Sequence, residues 1–364
     1  MKLTKDFRNS ELSQALVEYI KRLSTKEIKL MEFCGSHTMA IFKYGIRQLM
    51  PPTIKMLSGP GCPVCVTDTA DIDRAVAMAR LSGIILCTFG DMLKVPGTSS
   101  SLQQAKADNC DVRVVYSTID ALDIAKINPG KEVIFLGVGF ETTAPTIAAS
   151  VLQAKAEGID NYSVFSLAKI CPPVMKALLD AGEVTIDGII CPGHVSVIIG
   201  SKPYEFIPRD YGIGCVISGF EPLDILQSIN MLVSQIENGK PKVEIAYLRG
   251  VSSDGNTKAL ELMEQVFNVS AASWRGIGKV AASGLKLSDN YKQYDAELNF
   301  PVETGVIKEP EGCLCGQVLR GTKKPTDCSL FRRICTPEQP VGPCMVSYEG
   351  ACSNCFLYES DEIG

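Results

Sequence analysis

The strongest constraint on the fold is a repeated order of short apolar run, loop of Gly, Pro or polar residues, and helical stretch. Such units begin at residues 27–33, 53–57, 83–89 and 112–116. The order restarts after a turn cluster at 128–131, with apolar runs at 132–138, 162–167, 186–190 and 214–217. Because strands that alternate with helices build parallel sheets, this order predicts an α/β fold.

The turn cluster 128–131 has the composition Asn-Pro-Gly-Lys, which is typical of a boundary between domains. We therefore expect two α/β domains, 26–128 and 129–241, whose mostly parallel sheets face each other across a cleft. An amphipathic helix over 10–23 precedes them. The alternation disappears beyond Pro301, so the terminal segments 1–25 and 242–364 are predicted to form a third part.

Charge and hydropathy exclude several classes of protein. The net charge is −5 and no run of five basic residues occurs, which argues against binding to nucleic acid. No run of 18 apolar residues is present, so we expect no membrane span. The first 23 residues lack the apolar centre and cleavage site of a signal peptide, which predicts a cytoplasmic protein.

Fifteen cysteines and two histidines point to sulfur-based metal or redox chemistry. In a chain without a secretory signal, a framework of disulfides is not expected, and an odd count prevents complete pairing. Sulfur must supply most of the ligands of any metal site. Seven of these cysteines lie in the irregular C-terminal segment, at positions 313, 315, 328, 335, 344, 352 and 355.

Five unusual loops follow apolar runs that we interpret as parallel strands. They contain Cys34, Cys62, Asp91, Glu141 and His194. In open α/β sheets, ligands bind outside the carboxyl ends of the strands. The convergence of these loops therefore predicts a site that combines thiols, a carboxylate and both histidines.

The loop Gly59-Pro-Gly-Cys62-Pro-Val-Cys65 carries a C-x-x-C pair between a predicted strand and a predicted helix. These two thiols can form a small disulfide ring or a bidentate soft ligand, and a nearby helix N-terminus favours the thiolate. Two buried cysteines, or half of a zinc site, remain as alternatives.

Two further loops leave a structural and a chemical interpretation open. Cys34 and His37 can be a pair of metal ligands, His37 can act as a base for the thiol, or the histidine can be structural. Glu141 stands at a predicted helix start, where the hydroxyl of Thr142 or Thr143 can serve as the N-cap. Five cysteines in or beside apolar runs, at positions 87, 110, 171, 191 and 215, are interpreted as core residues.

Several segments in the same order resemble those of the HypD family, which are scaffold proteins for the maturation of [NiFe]-hydrogenases. They are Cys34-Gly-Ser-His37-Thr, Gly59-Pro-Gly-Cys62-Pro-Val-Cys65, Gly90-Asp-Met92 with Val95-Pro-Gly97, Gly139-Phe-Glu141-Thr-Thr143, Pro192-Gly-His194-Val-Ser196, Trp274-Arg-Gly-Ile-Gly278 and Gly342-Pro-Cys344-Met-Val-Ser347. The family has a histidine at the position of Thr38 in some members, so a role for histidine there is not carried over.

The resemblance implies a [4Fe–4S] cluster, because the spacing C-x14-C-x6-C-x16-C of the family fits four cysteines here. The implied ligands are Cys313, Cys328, Cys335 and Cys352. The resemblance leaves Cys315, Cys344 and Cys355 without a role, although Cys344 lies in a family motif. The third part of the chain is then an iron–sulfur domain.

The resemblance also implies a transient iron site that carries cyanide and carbon monoxide. Cys34 resembles the iron ligand, and Cys62 and Cys65 resemble a redox pair between this iron and the cluster. The residues expected to line the cleft are His37, Glu141, Thr142, Thr143, His194 and Ser196. A small HypC-like chaperone is implied as a stable partner and a HypE-like cyanide donor as a transient one.

The predicted function is thus a redox-active scaffold that assembles the Fe(CN)2CO unit of [NiFe]-hydrogenase, whether or not it is classed as an enzyme. Two other hypotheses remain. One is a cluster-linked dithiol–disulfide reductase, and the other is a zinc-stabilised binding module without a redox role.

Overall fold

A computed structural model describes residues 7–359 of the chain. The described residues contain eleven strands in three sheets. The strands are β1 (Ile28–Glu32), β2 (Ile54–Ser58), β3 (Ile84–Thr88), β4 (Asp111–Val114), β5 (Glu132–Gly139), β6 (Tyr162–Ala168), β7 (Gly188–Cys191), β8 (Gly214–Ile217), β9 (Val243–Ile245), β10 (Phe267–Trp274) and β11 (Gly278–Leu287). The predicted strands are confirmed to within a few residues.

Two of the sheets are parallel, which confirms the predicted α/β class. Sheet one has five strands in the order β2-β1-β7-β8-β9, and sheet two has four in the order β4-β3-β5-β6. Strand β6 is buried along its whole length, and β5 is buried at all but its first residue. Burial on both faces explains why these strands appear as continuous apolar runs.

Each of the two predicted domains, 26–128 and 129–241, contributes strands to both parallel sheets. Strand β3 of the first segment pairs with β5 of the second, whereas β1 of the first segment pairs with β7 of the second. Sheet one is therefore assembled from two separated stretches of chain, and sheet two lies between them in the sequence. Alternation of strands and helices sets the order of elements along the chain, but the packing of their apolar faces selects the neighbours within a sheet.

Sixteen α-helices accompany the strands in the described residues. They are α1 (Ser10–Leu23), α2 (Gly35–Lys43), α3 (Ile46–Leu49), α4 (Thr69–Ala79), α5 (Leu102–Ala107), α6 (Thr118–Ile127), α7 (Ala144–Glu157), α8 (Cys171–Ala181), α9 (Gly193–Ile199), α10 (Phe206–Tyr211), α11 (Pro222–Asn238), α12 (Thr257–Val266), α13 (Ala296–Asn299), α14 (Cys315–Leu319), α15 (Pro343–Val346) and α16 (Ala351–Tyr358). The predicted amphipathic helix over 10–23 is confirmed as α1.

The terminal segments do not pack only with each other. Helix α1 lies against α11, and β9 completes sheet one. The irregular C-terminal segment instead packs across the first parallel sheet, where α16 contacts α2. Residues 1–6 and 360–364 of the predicted third part lie outside the described residues.

The antiparallel pair β10–β11 was not predicted from the sequence. Its register shifts between Ser270 and Ala272, and this irregularity breaks the alternation that identifies a half-buried strand. The pair nevertheless connects segments that follow strands of the two parallel sheets. Trp274 bridges to Thr67, just beyond the C-x-x-C loop, while Gly284 bridges to Lys169 at the end of β6.

Candidate functional site

The five predicted loops all follow strands of the two parallel sheets. Cys34, Cys62 and His194 follow β1, β2 and β7 of sheet one, and Asp91 and Glu141 follow β3 and β5 of sheet two. The prediction that each loop lies beyond the carboxyl end of a parallel strand is therefore confirmed. This is the edge at which α/β proteins bind their ligands.

The loops that carry Cys34 and Cys62 touch through their backbones. Strands β1 and β2 are neighbours in register, and the Gly35 N–H donates to the Gly61 carbonyl oxygen over 2.9 Å. A Cβ atom on Gly61 would lie 2.2 Å from the Cys34 nitrogen. Only glycine permits this approach, so the Gly-Pro-Gly sequence before the C-x-x-C pair brings its loop against Cys34.

We expect the substitution Gly61→Ala to lower the free energy of unfolding by at least about 2 kcal/mol, because the new methyl group meets backbone that cannot move aside. Denaturant unfolding under anaerobic conditions can be followed by the fluorescence of Trp274, which is the only tryptophan. Gly130→Ala is the control, since no described atom lies within 4 Å of a Cβ there. Equal losses in the two variants would contradict the proposed close approach.

Cys34 is a buried thiol in a site that keeps it protonated. It is 7% exposed, and burial raises its pKa to about 12, with the negative charge of Glu349 as the next cause. Backbone N–H groups of Ser36 and His37, at the start of α2, oppose this shift. A cation at the sulfur would favour the thiolate, since metal ligation of cysteine releases the proton.

Glu32, the last residue of β1, stabilises the Cys34 loop through hydrogen bonds to its carboxyl group. Its carboxyl group accepts from the Cys34 N–H over 3.0 Å and from the Thr38 hydroxyl. Burial raises the pKa of Glu32 to about 8, so this carboxyl group is largely neutral at pH 7. This role could not be predicted from the sequence, because Glu32 ends a strand whose other residues are mostly apolar.

His37 turns away from the thiol of Cys34. It is fully buried, and its Nε2 donates to the carbonyl oxygen of Gly219 over 2.9 Å and lies 3.3 Å from that of Ser218. Its Nδ1 is buried without a hydrogen-bond partner among residues 7–359. Burial lowers the pKa of His37 to about 4, so the ring is neutral at pH 7 and its protonated Nε2 is engaged by the backbone.

Both histidines meet at Phe220, which the sequence analysis did not select as a site residue. The Phe220 ring stacks on His194 with centroids 3.8 Å apart and on His37 with centroids 4.9 Å apart. Its only sequence signal is that Gly219-Phe-Glu repeats the tripeptide that contains Glu141. The aromatic ring therefore separates the exposed His194 from the buried His37.

Glu141 is the buried carboxyl group of sheet two. Its Oε1 accepts from the Cys171 N–H over 2.8 Å, and burial raises its pKa to about 7. Its Oε2 is buried without a hydrogen-bond partner within the described range. Cys171, interpreted from the sequence as a core residue, is indeed buried, and the pKa of its thiol is raised by burial and by the nearby Glu141 carboxyl group.

The three hydroxyl residues that were predicted to line the cleft, Thr142, Thr143 and Ser196, have different environments. Thr143 occupies the N-cap position of α7, but its side chain makes no capping hydrogen bond in the described structure, so the capping interpretation is wrong for that hydroxyl. Thr142 is exposed. Ser196 is fully buried, and its hydroxyl donates to the Pro192 carbonyl oxygen over 2.7 Å and bonds the Tyr204 hydroxyl at 3.1 Å.

Cys62 and Cys65 are both buried, and the Cys65 N–H donates to the Cys62 sulfur over 3.2 Å. Burial raises the pKa of the Cys65 thiol well above its ordinary value. The Cys65 thiol also donates to the carbonyl oxygen of Pro343 over 3.8 Å, nearly 280 residues away in the sequence, and the neighbouring Cys344 thiol affects the pKa of Cys65. The C-x-x-C pair thus lies against the C-terminal segment beside Cys344.

The C-terminal cysteines form one cavity at the other side of this contact. Six of them line it: Cys313, Cys315, Cys328, Cys335, Cys344 and Cys352. All four predicted cluster ligands are in this set. Cys355 is not, and its thiol bonds the Glu359 carboxylate at 3.1 Å. The thiols of Cys315 and Cys352 affect the pKa of Cys344, so these three sulfurs lie near one another.

The donor set of this cavity fits an iron–sulfur cluster, since four cysteine thiolates are needed and six thiols are present. Within residues 7–359, no group of three or more Cys, His, Asp or Glu side chains is already arranged to hold a single metal ion. The sulfurs therefore line one apolar cavity, but among the described residues they do not converge on a single point. Cys315 and Cys344, which had no predicted role, belong to this set and also affect the pKa of Cys65.

The C-terminal segment also covers the Cys34 loop. The Ser36 hydroxyl donates to the Glu349 carboxylate over 2.7 Å, and the Ser347 hydroxyl lies 3.4 Å from the Asp91 carboxylate. A Cβ on Gly35 would lie 2.4 Å from the Glu349 side chain. The motif that ends at Ser347 thus connects the loops of both parallel sheets with the cavity of cysteines.

Comparison with known proteins decides the family. A family model described as "HypD: Hydrogenase formation hypA family" matches residues 11–359. The chain belongs to the HypD family. It is 45% identical to hydrogenase maturation factor HypD2 of Bradyrhizobium diazoefficiens over 98% of this chain and 97% of that protein, and 44% identical to HypD of Rhodobacter capsulatus over 98% of each.

A putative hydrogenase expression/formation protein of Methanocaldococcus jannaschii is 42% identical to this chain, over 95% of this chain and 97% of its own length.

In the part of the chain that the structure describes, every helix is too short or too polar to cross a lipid bilayer.

Proposed function

We propose that this chain is a hydrogenase maturation factor that holds iron at Cys34 while cyanide and carbon monoxide are attached. The supporting observation is that the Cys65 thiol donates to the Pro343 carbonyl oxygen, next to Cys344, which lines the cavity of cysteines. This placement supports a redox connection between the Cys34 loop and the cavity, which a plain iron-binding site does not need. A cytoplasmic location is part of the proposal.

Cys34 suits the binding of the iron that is the cargo of the reaction. A soft thiolate matches low-spin Fe(II), and the N–H groups at the start of α2 partly offset the burial of the negative sulfur. Neutral Glu32 adds no negative charge beneath the loop at pH 7. A second thiolate from a small HypC-like partner would complete the iron site, and a HypE-like donor would deliver cyanide in a transient complex.

The buried groups around this loop can hold the three diatomic ligands, two cyanides and one carbon monoxide, without releasing them to water. His37 and Glu141 both keep one polar atom without a partner among the described residues, namely Nδ1 and Oε2. Glu141 has a pKa raised to about 7 by burial, so it can supply or accept a proton near neutral pH. His194 lies at the exposed side of Phe220, where incoming groups would first meet the site.

Cys313, Cys328, Cys335 and Cys352 are the proposed ligands of a [4Fe–4S] cluster, which supplies one-electron storage when bound. Oxidation of the thiols of Cys62 and Cys65 to a disulfide releases two electrons and two protons. Cys344 and Cys315 line the cavity together with the proposed ligands and both affect the pKa of Cys65, so we propose that the two redox sites communicate through them.

Anaerobic co-purification with a HypC-like partner tests this function. We expect about four irons per chain from the cluster plus additional iron, together with infrared bands of bound cyanide and carbon monoxide. A preparation with the cluster but persistently without these bands would favour the disulfide-reductase hypothesis. A preparation with zinc and no cluster would favour the zinc-stabilised module.

A further inference from the structure

Arg275 lies between the C-x-x-C loop and the cavity of cysteines. Its N–H donates to the carbonyl oxygen of Val66, the residue after Cys65, over 2.9 Å. Its side chain is 2% exposed, and its Nη2 donates to the Pro96 carbonyl oxygen over 3.1 Å. The guanidinium group is therefore held inside the protein by the turn between β10 and β11.

The charge of this guanidinium group lacks a matched acidic partner. Its Nε and Nη1 are buried without a hydrogen-bond partner in the described part of the chain. The carboxylate of Glu309, which is 56% exposed, lies 3.9 Å from Nε and is too distant for a hydrogen bond. An arginine stays charged in proteins, and a buried charge without a close partner costs several kcal/mol. A group of opposite charge is therefore expected nearby.

The cysteine cavity supplies such a group on the same side. Arg275 lines a pocket together with Cys313 and Cys315. The turn after Arg275 packs directly on α14, since a Cβ on Gly276 would lie 2.2 Å from the Cα atom of Gly316.

We propose that Arg275 is the counter-charge of the cysteine-bound cluster and raises its reduction potential. The inference rests on the proposed function, because it requires that these thiols hold the cluster. Thiolate ligands bring negative charge into the cavity, and reduction adds one electron more. A buried cation with free N–H donors stabilises the reduced form more than the oxidised one, since net charge and hydrogen bonds to sulfur set the potential of such centres.

The test is a redox titration of the anaerobically purified, cluster-containing chain, followed by electron paramagnetic resonance. For Arg275→Gln, we expect the ratio of reduced to oxidised cluster at a fixed potential to fall at least about tenfold, which is about 59 mV for one electron. Arg320→Gln is the matched control. Arg320 lines the same pocket, but it is 29% exposed and lies 3.0 Å from the Glu183 carboxylate, so its removal should change the ratio less.

The outcomes separate this inference from the function on which it rests. A wild-type chain without a cluster contradicts the proposed function. A cluster whose potential is the same in the wild type and Arg275→Gln contradicts the role of Arg275 alone, as does an equal shift in Arg320→Gln. If Arg275→Gln does not fold, Glu309→Gln decides. It removes the nearest carboxylate and should raise the ratio, and an unchanged or lower ratio overturns the inference.

Discussion

Hydrogenase maturation should fall by more than about 100-fold when Cys34 is replaced by alanine, because this range is already reached when only an outer-shell partner of a metal ligand is lost. Alanine has no donor atom for iron, and the small loss of volume leaves the surrounding loop intact. Hydrogenase activity in a host without its own copy measures the effect. Iron analysis and infrared spectra of the chain with its partner show whether the bound iron unit disappears with it.

Cys110→Ala is the matched control for this prediction. Cys110 is partly buried and directly precedes β4, so it lies at the amino end of sheet two, opposite the edge that carries the candidate site. Maturation should continue normally in this variant. Normal maturation with Cys34→Ala would remove the iron-binding role from this chain, whereas retained disulfide reduction without maturation would separate the two redox hypotheses.

Replacing Cys344 by serine should leave the cluster in place but stop the exchange of electrons with Cys62 and Cys65. Serine cannot take part in thiol–disulfide exchange, and Cys344 is the thiol that contacts both Cys65 and the cavity. With an excess of reductant, two successive one-electron reductions of the cluster supply the two electrons, and water the two protons, that convert a Cys62–Cys65 disulfide into two thiols. These free thiols can be counted by alkylation and mass spectrometry. We expect the pair to stay oxidised in this variant and to become reduced in the wild-type chain.

Two further cysteine variants serve as controls for this prediction. Cys355→Ser should behave like the wild type, because Cys355 lies outside the cavity and bonds Glu359. Cys335→Ser should lose the cluster itself, since Cys335 is a proposed ligand. Loss of the cluster in Cys344→Ser would instead make Cys344 a ligand, and full reduction of the C-x-x-C pair in that variant would show that electrons take another route.

The strands and the edge of the site were predictable because their signals are local. A run such as 132–138 is apolar because β5 is buried on both faces, and a loop after each run lies at the same end of a parallel sheet. Cys34 and the C-x-x-C pair could therefore be placed beyond neighbouring strands. The boundary at 128 did not divide the sheets, because strand pairing depends on contacts between distant segments.

The neighbours of the site residues were not predictable in the same way. Phe220, which stacks on both histidines, follows an apolar strand that carries no functional motif. The pKa of Glu32 is raised mainly by burial, which depends on the tertiary structure. The hairpin that carries Arg275 was missed because its bulge interrupts the alternation of inward and outward residues. Each of these features depends on which segments approach one another in space.

The sequence by itself determined the α/β class, the loops that carry Cys34, Cys62 and Cys65, and the membership of the HypD family, since all of these follow from residue order and spacing. Only the tertiary structure placed Cys344 against Cys65, gathered six cysteines around one cavity and buried Arg275 beside it. The physical reason is that spacing along a chain does not set distances between segments more than 200 residues apart. Those distances are set by the packing of the C-terminal segment across the loops of the parallel sheets.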